Sequence, residues 1–490
     1  MYNMPLVPPK AARQPMKFRK FLILFCSLLQ AGAALAADSS PPNILVILAD
    51  DLGYGDLSCH GGKIPTPHID SLAKNGISFV EGYVTAPQCA PSRAGLLTGR
   101  YQQKFGFEYN GDDAPNYGLP VEEKTMADFL RTAGYRTGAI GKWHLGVTAQ
   151  SHPLKRGFDE FFGFLGGSSH YLLPDGKPVP GIIRNEKPEK VTSYLTEAFG
   201  TEASAYIERS KNKPWFLYLA FNAPHEPWEA PQNYLDRFPE IPDAPIPYPR
   251  TGRGCRSGRV YAAMVSALDD AVGRTLQTLK DQHLDGRTVI VFLSDNGAPL
   301  CITTPASNGP LRGEKGDVLE GGVRVPFFIQ WTGHIPAGVK IRTPVSTLDL
   351  LPTFLEMAGK PAPPDANLDG QSLLGTLMTG KEPREDRALC WLFRLGPDKA
   401  LHSWGIRQGP WKLWRGPLRV QEGRQLFDMA NSPKSGLYNI PNDIHEDRDL
   451  SGAEPEKRRE LETELGEWMQ TLQPPRWGDS MGKDSPLLSK

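Results

Sequence analysis

Three uninterrupted apolar runs constrain this 490-residue chain more than any other feature: NILVILA (43–49), PWFLYLAF (214–221) and TVIVFL (288–293). A strand with one face in water alternates apolar and polar residues, whereas a parallel strand covered by helices on both faces does not. Between the second and third runs, Tyr261, Met264, Val265, Leu268, Val272, Leu276 and Leu279 recur at helical spacing. The local unit therefore reads strand, helix, strand, and the expected fold is a layered α/β domain. Each run is followed by polar residues: Asp50 and Asp51, Asn222 and His225, Asp295 and Asn296. Any one of these is an ordinary turn former. Together they mark one place, because sites in open α/β sheets lie outside the carboxyl ends of the strands.

The first 36 residues read as a leader rather than as part of the fold. Lys10, Arg13, Lys17, Arg19 and Lys20 form a basic run, 21–29 is apolar, and Ala34, Leu35 and Ala36 make a small-residue cleavage site. Ser27, Gln30 and Gly32 interrupt an apolar stretch already short for a bilayer, which favours a cleaved secretory signal over a retained anchor. The expectation is a periplasmic or secreted protein with no stable membrane span. Basic and acidic residues balance at 55 each, and the leader holds five of the basic ones, so the mature chain is near −5. That charge argues against a nucleic-acid partner. The remaining length exceeds what one core usually supports. TLMTGKEPREDR (376–387), polar after an apolar stretch, divides a catalytic domain over 37–380 from a C-terminal subdomain over 381–475 and a tail over 476–490. In that subdomain ALCWLF, HSWGIRQ and WKLW read as short antiparallel strands. Leu461, Leu465, Trp468, Met469 and Leu472 read as a final helix stopped by Pro474 and Pro475.

CAPSRAGLLTGR (89–100) places one thiol, one arginine and a helix start in fixed relation. Pro91 suits a first helical turn, where its missing N–H costs nothing. Cys89 then lies at a helix N-terminus, whose unpaired N–H groups favour a thiolate, an oxyanion or a bound anion. Asp50, Asp51, Asp295 and Asn296 offer hard oxygen donors without imidazole or thiolate, a set that selects calcium or magnesium over zinc or copper. Lys142 and His144 share GKWHLG, His225 lies in NAPHEP, and Lys315 lies in GPLRGEKGDVLEGGVRVP.

These segments, in this order, resemble the type I sulfatases of the alkaline-phosphatase-like superfamily, in which the cysteine of CxPSR is converted after translation into formylglycine. The motifs carry the resemblance over roughly residues 42–350, and the C-terminal part shares only general character. The resemblance implies an alkaline-phosphatase-like α/β fold: a mixed, mostly parallel sheet flanked by helices, with a smaller α+β subdomain containing an antiparallel sheet. It implies hydrolysis of a sulfate ester, on a carbohydrate or on another small molecule, through a formylglycine made from Cys89 by a formylglycine-generating enzyme. It also implies a calcium ion held by Asp50, Asp51, Asp295, Asn296 and the modified side chain of Cys89. Arg93 and Lys142 would hold the attacking oxygen, and His225 and Lys315 would bind sulfate oxygens and protonate the leaving oxygen. His144 would take the proton that lets sulfate be expelled. That last step explains an encoded cysteine, because a serine sulfate has no second oxygen with which to eliminate the group.

Two alternatives remain at this point. A phosphate or phosphonate ester hydrolase of the same superfamily is disfavoured by the complete CxPSR and by the lack of extra histidines for a second metal. A catalytically silent carbohydrate-binding protein would keep Cys89 unmodified. For sugar contacts, His170 and Tyr171 in GFLGGSSHYLLPDG (163–176) and His402, Trp404 and Arg407 from the small subdomain are the candidates. Cys59, Cys255, Cys301 and Cys390 allow three disulfide pairings. Cys255 in GCRSGR lacks the proline and the apolar helix of 89–100.

Overall fold

The computed structural model describes Met1 and residues 40–477, apart from 112–115, 244–245, 248–253, 256, 301–305, 384–386, 395–402, 417–418, 423–424 and 429–433. The leader, all but the first two residues of the tail, and His402 therefore lie outside the described residues apart from Met1.

All three apolar runs are strands of one ten-stranded sheet. Its centre is five parallel strands in the order Thr288–Ser294, Asn43–Ala49, Trp215–Ala220, Arg136–Lys142 and Glu160–Phe164. Antiparallel Phe327–Gln330 extends one edge beside Thr288–Ser294, and antiparallel Ile183–Arg184 extends the other beside Glu160–Phe164. Asn43–Ala49 is buried on both faces, as its unbroken apolar sequence requires. Ile44, Val46 and Leu48 enter one apolar core, and Leu45, Ile47 and Ala49 enter the other.

Helices form the outer layers. The helix Gly258–Asp281 buries Tyr261, Met264, Val265, Leu268, Val272 and Leu279 beside Phe199, Ala203 and Ile207 of the helix Leu195–Ser210. On the opposite face lie Ala90, Ala94 and Leu97 of Cys89–Thr98, Met126 and Leu130 of Met126–Thr132, and Leu351 and Phe354 of Leu350–Met357. Each large apolar side chain so buried contributes about 1.5–3 kcal/mol. Among the described residues no helix is long and apolar enough to cross a membrane.

The C-terminal strands Leu389–Phe393, Ser403–Gln408, Trp411–Gly416 and Lys434–Asn439 form the expected antiparallel sheet. Period-two alternation gives it two distinct faces. Leu389, Trp391, Phe393, Trp414 and Tyr438 join the main core, while Cys390, Trp404, Ile406, Leu413 and Leu437 pack on Leu461 and Leu465 of the helix Pro455–Met469. Leu472 falls beyond that helix.

Candidate active site

Four neighbouring parallel strands deliver the site, each at its carboxyl end. Asp50 and Asp51 follow Ala49, and Asp295 and Asn296 follow Ser294, the residue paired with Ala49 in the sheet. Asn222 and His225 follow the strand Trp215–Ala220, and Lys142 ends the next one. The chain turns sharply there: Asp51 and His144 adopt left-handed backbone conformations, with φ of 63° and 58°. Non-glycine residues rarely accept this geometry, and it recurs where a site over-determines the backbone.

The charged groups form a compact buried lattice. Arg93, fully buried, donates from Nε and Nη2 to Asp295 Oδ2 at 2.9 and 2.7 Å, and from Nη1 to the Lys142 carbonyl at 3.2 Å. Lys142 Nζ donates to Asp50 Oδ2 at 2.6 Å. Lys315 Nζ donates to Asp51 Oδ2 at 2.8 Å, and His225 Nε2 lies 3.6 Å from the same oxygen. Asn296 Nδ2 donates to Asp51 Oδ1 at 2.6 Å, and the Asp51 N–H donates to Asp295 Oδ1 at 3.2 Å. Burial and the charge of Asp50 push Asp295 up to about 6, against the pull of Arg93 and Lys142. Burial would also raise Asp51, but Lys315 and His225 outweigh it and hold that carboxyl below the usual range. Burial likewise opposes a charged His225, yet the carboxylates of Asp50 and Asp51 raise it above its ordinary value, even with Lys142 and Lys315 nearby.

Cys89 opens the helix Cys89–Thr98 and is itself buried. Burial alone would raise its thiol, whereas Lys142 and Lys315 bring it well below its ordinary value despite Asp295 and Asp51. The rest of the segment holds this helix in place. A Cβ at Gly95 would meet Thr85 Oγ1 at 2.2 Å, and Gly99 supplies the left-handed cap at φ 64°. Arg100 then pairs with Glu123 at 2.5 Å.

The Lys315 segment closes over the carboxylates through glycines. The Gly297 N–H donates to the Gly322 carbonyl at 3.1 Å, and a Cβ at Gly297 would stand 1.7 Å from the Gly321 oxygen. Lys315 N–H donates to the Ala298 carbonyl, and Gly316 N–H to that of Pro87. Only bare backbones approach this closely.

Two buried acceptors in the lattice receive no hydrogen bond, Asp50 Oδ1 and Asn296 Oδ1. An unmet buried acceptor costs about 1–3 kcal/mol. A hard divalent cation would supply such acceptors with the partner they lack, so the donor set fits calcium. Ligand atoms of Asp50, Asp51, Cys89 and His225 all lie within 4.8 Å of one another. His225 was not among the expected ligands, and as a nitrogen donor it suits a hard cation less well than the oxygens do.

The structure thus brings together Asp50, Asp51, Cys89, Arg93, Lys142, His225, Asp295, Asn296 and Lys315, and His144 lies buried two residues beyond Lys142. The expected sugar contacts fare differently. His170 is half exposed, with Nδ1 2.8 Å from Glu229 Oε1. Tyr171 is a correction: it is fully buried, and its hydroxyl donates to the carbonyls of Asn222 and His225, so it props the His225 turn and faces no sugar. Trp404 and Arg407 are corrections too. Trp404 packs in the core beneath the last helix, and Arg407, 1 % exposed, pairs with Glu81 at 2.5 Å. Glu229, which fixes His170 and accepts from the Tyr171 N–H, had no signal in the sequence. Cys59, Cys89 and Cys390 are free thiols, while Cys301 and the side chain of Cys255 lie outside the described residues.

The Sulfatase family profile matches residues 42–360, and one described as N-sulphoglucosamine sulphohydrolase, C-terminal, matches 314–454. The chain is 36% identical to human N-acetylgalactosamine-6-sulfatase over 71% of its own length and 68% of that protein's. To human arylsulfatase A it is 36% identical over 79% and 77% of the two chains. The solved structure of Ps i-CgsB in complex with k-i-k-neocarrahexaose superimposes with a TM-score of 0.78 at 36% identity, covering 90% of this chain and 96% of that one.

Proposed function

The chain belongs to the sulfatase family and is a sulfuric ester hydrolase, and from that premise we propose that it is exported, carries a formylglycine at position 89, binds calcium and hydrolyses a sulfate ester on a carbohydrate. The observation that carries this reading is the fully buried Cys89 at a helix start, flanked by Lys142, Lys315 and the carboxylate lattice. A carbohydrate is favoured by the names of similar proteins, N-acetylgalactosamine-6-sulfatase and a neocarrahexaose complex.

Asp50, Asp51, Asp295 and Asn296 would hold the calcium ion, which supplies positive charge that acidifies a nucleophile and neutralises sulfate oxygens. Formylglycine, as its hydrate, supplies an oxygen nucleophile and a second hydroxyl through which sulfate is expelled. The chain's own residues do the remainder. Arg93 and Lys142 fix Asp295 and Asp50 and present two cations beside position 89. Lys315 and His225 converge on one oxygen of Asp51 and lie ready to bind sulfate oxygens and to protonate the leaving oxygen. The raised His225 retains a proton nearer neutral pH than an ordinary imidazole and can deliver it to the leaving oxygen. His144, set by its left-handed backbone and by its N–H bond to the Leu165 carbonyl, is the base for sulfate release. His170, steadied by Glu229, is the remaining candidate for a sugar contact.

The test pairs two measurements on protein from its native host: the mass of the peptide containing position 89, and turnover of an aryl sulfate beside the matching aryl phosphate. The expected result is the aldehyde mass, preference for sulfate and loss of turnover in Cys89→Ala. An unmodified cysteine in inactive native protein overturns the mechanism; preference for phosphate overturns the substrate.

A further inference from the structure

Residues 312–321 form a closed loop that carries Lys315. Its neck is the hydrogen bond from the Gly321 N–H to the Arg312 carbonyl, 2.6 Å. Both sides of that neck are held by one residue more than a hundred positions away. Glu446 accepts Arg312 Nη1 at its backbone carbonyl, 2.5 Å, and the Glu320 N–H at its carboxylate Oε2, 2.9 Å. The other carboxylate oxygen lies 3.3 Å from Lys412 Nζ, which itself donates to Glu320 Oε1 at 2.8 Å. Glu320, Lys412 and Glu446 are each completely buried, and Glu446 adopts a left-handed backbone at φ 52°. Arg324 and the Tyr83 hydroxyl complete the shell around Glu320, at 3.1 and 2.8 Å.

A buried charge that loses its partner is strongly destabilising, so such a network has few alternative arrangements. A loop whose two sides are pinned by one side chain and its carbonyl cannot tilt without breaking that network. Lys315 lies between the pins, with its ammonium 2.8 Å from Asp51.

We propose that Glu446, with Lys412, is a positioning residue that sets the Lys315 ammonium against the reacting sulfate. The proposal rests on the role given to Lys315 above. Glu446 touches no reacting group and acts through the neck of the loop, so the smaller C-terminal part of the chain completes the active site mechanically.

The test compares Glu446→Ala, Glu446→Gln and Lys315→Ala on two substrates, 4-nitrophenyl sulfate and phenyl sulfate, with formylglycine content and thermal midpoint measured for each protein. A displaced Lys315 harms the poorer leaving group more. Glu446→Ala is therefore expected to lose about ten-fold more kcat/KM on phenyl sulfate than on 4-nitrophenyl sulfate, a fraction of what a general acid supplies. Glu446→Gln keeps an acceptor for the Glu320 N–H and should restore the wild-type ratio. Equal loss on both substrates, or a Gln variant as skewed as the Ala variant, overturns the proposal. Should Glu446→Ala not fold, Lys412→Met provides the same comparison, because it leaves Glu446 in place without its cation. Lys315→Ala separates the two levels: if it leaves both rates and their ratio untouched, the reading of Lys315 is wrong; if it skews the ratio and the Glu446 variants do not, only the positioning role fails.

Discussion

Replacing Arg93 with lysine keeps the charge at the centre of the site and removes the fork that distributes it. The guanidinium makes three hydrogen bonds, two to Asp295 Oδ2 and one to the Lys142 carbonyl. An ammonium on a flexible stem can keep one of them in that space. Two bonds to or from charged groups are then lost, each worth about 1.5–3 kcal/mol, so the variant should lose about 3–6 kcal/mol of stability. Full burial leaves no water to take up the freed carboxylate oxygen or carbonyl. Catalysis should suffer by a similar route, since the Lys142 carbonyl marks the start of the turn that sets His144. A loss of about 3 kcal/mol corresponds to roughly a hundred-fold in kcat/KM. The assay is urea unfolding together with aryl sulfate turnover, with rates divided by the formylglycine content of each sample, because Arg93 belongs to the segment that the proposed maturation would read. An Arg93→Lys protein of wild-type stability and wild-type turnover per formylglycine would show that the fork is not what organises Asp295 and Lys142.

Gly297→Ala should lose stability and aryl sulfatase turnover together, since its Cβ would overlap the Gly321 carbonyl oxygen and push the Lys315 loop outward; differential scanning calorimetry with kinetics checks this, and a wild-type thermal midpoint refutes it. Removing calcium with a chelator should lower both the midpoint and activity, by about 2.7 kcal/mol of stability if the ion was at a hundred times its Kd, and added calcium should restore both where zinc does not. Burial, opposed by Lys412, pushes Glu446 up to about 7 from 4.5. A carboxyl raised by folding favours the fold below its unfolded value, and that contribution disappears as pH rises through the folded value. Unfolding free energy should therefore decline between about pH 4.5 and 7 from this group, and Glu446→Gln should flatten that part of the curve relative to wild type.

The sheet and the grouping of the candidate site were legible because their causes are local. An unbroken apolar run buried on both faces announces a parallel strand, and its first polar residues are where the sheet ends; hence Asp50, Asp51, Asp295 and Asn296 could be grouped before any contact was known. The motif segments CAPSRAGLLTGR, GKWHLG and NAPHEP each carry their functional residue within a few positions of a strand end or helix start. Sugar contacts were not legible. Tyr171 and Trp404 look alike in sequence to any loop or strand aromatic, and burial, which decides their role, depends on what packs over them. Tyr171 spends its hydroxyl on two backbone carbonyls 51 and 54 residues away.

The C-terminal sheet shows the deeper reason for this limit. Arg407 and Lys412 are paired neighbours across two strands, and Arg407 also faces Leu389, a member of the main core. Two cations therefore sit on the sheet face that packs against the catalytic part of the chain. The sequence offers Arg407 as a sugar contact and assigns Lys412 nothing, and lysine and arginine are almost never fully buried without partners. Their partners exist, but Glu81 stands 326 residues from Arg407 and Glu320 stands 92 from Lys412. No periodicity or spacing encodes such a pairing. An apolar seam would hold the two parts together as firmly, since buried ion pairs gain little net stability over well-packed apolar residues. What the ionic seam adds is direction: Glu320 accepts from Lys412, Arg324 and Tyr83 in one arrangement only, and that arrangement fixes the end of the loop whose middle is Lys315.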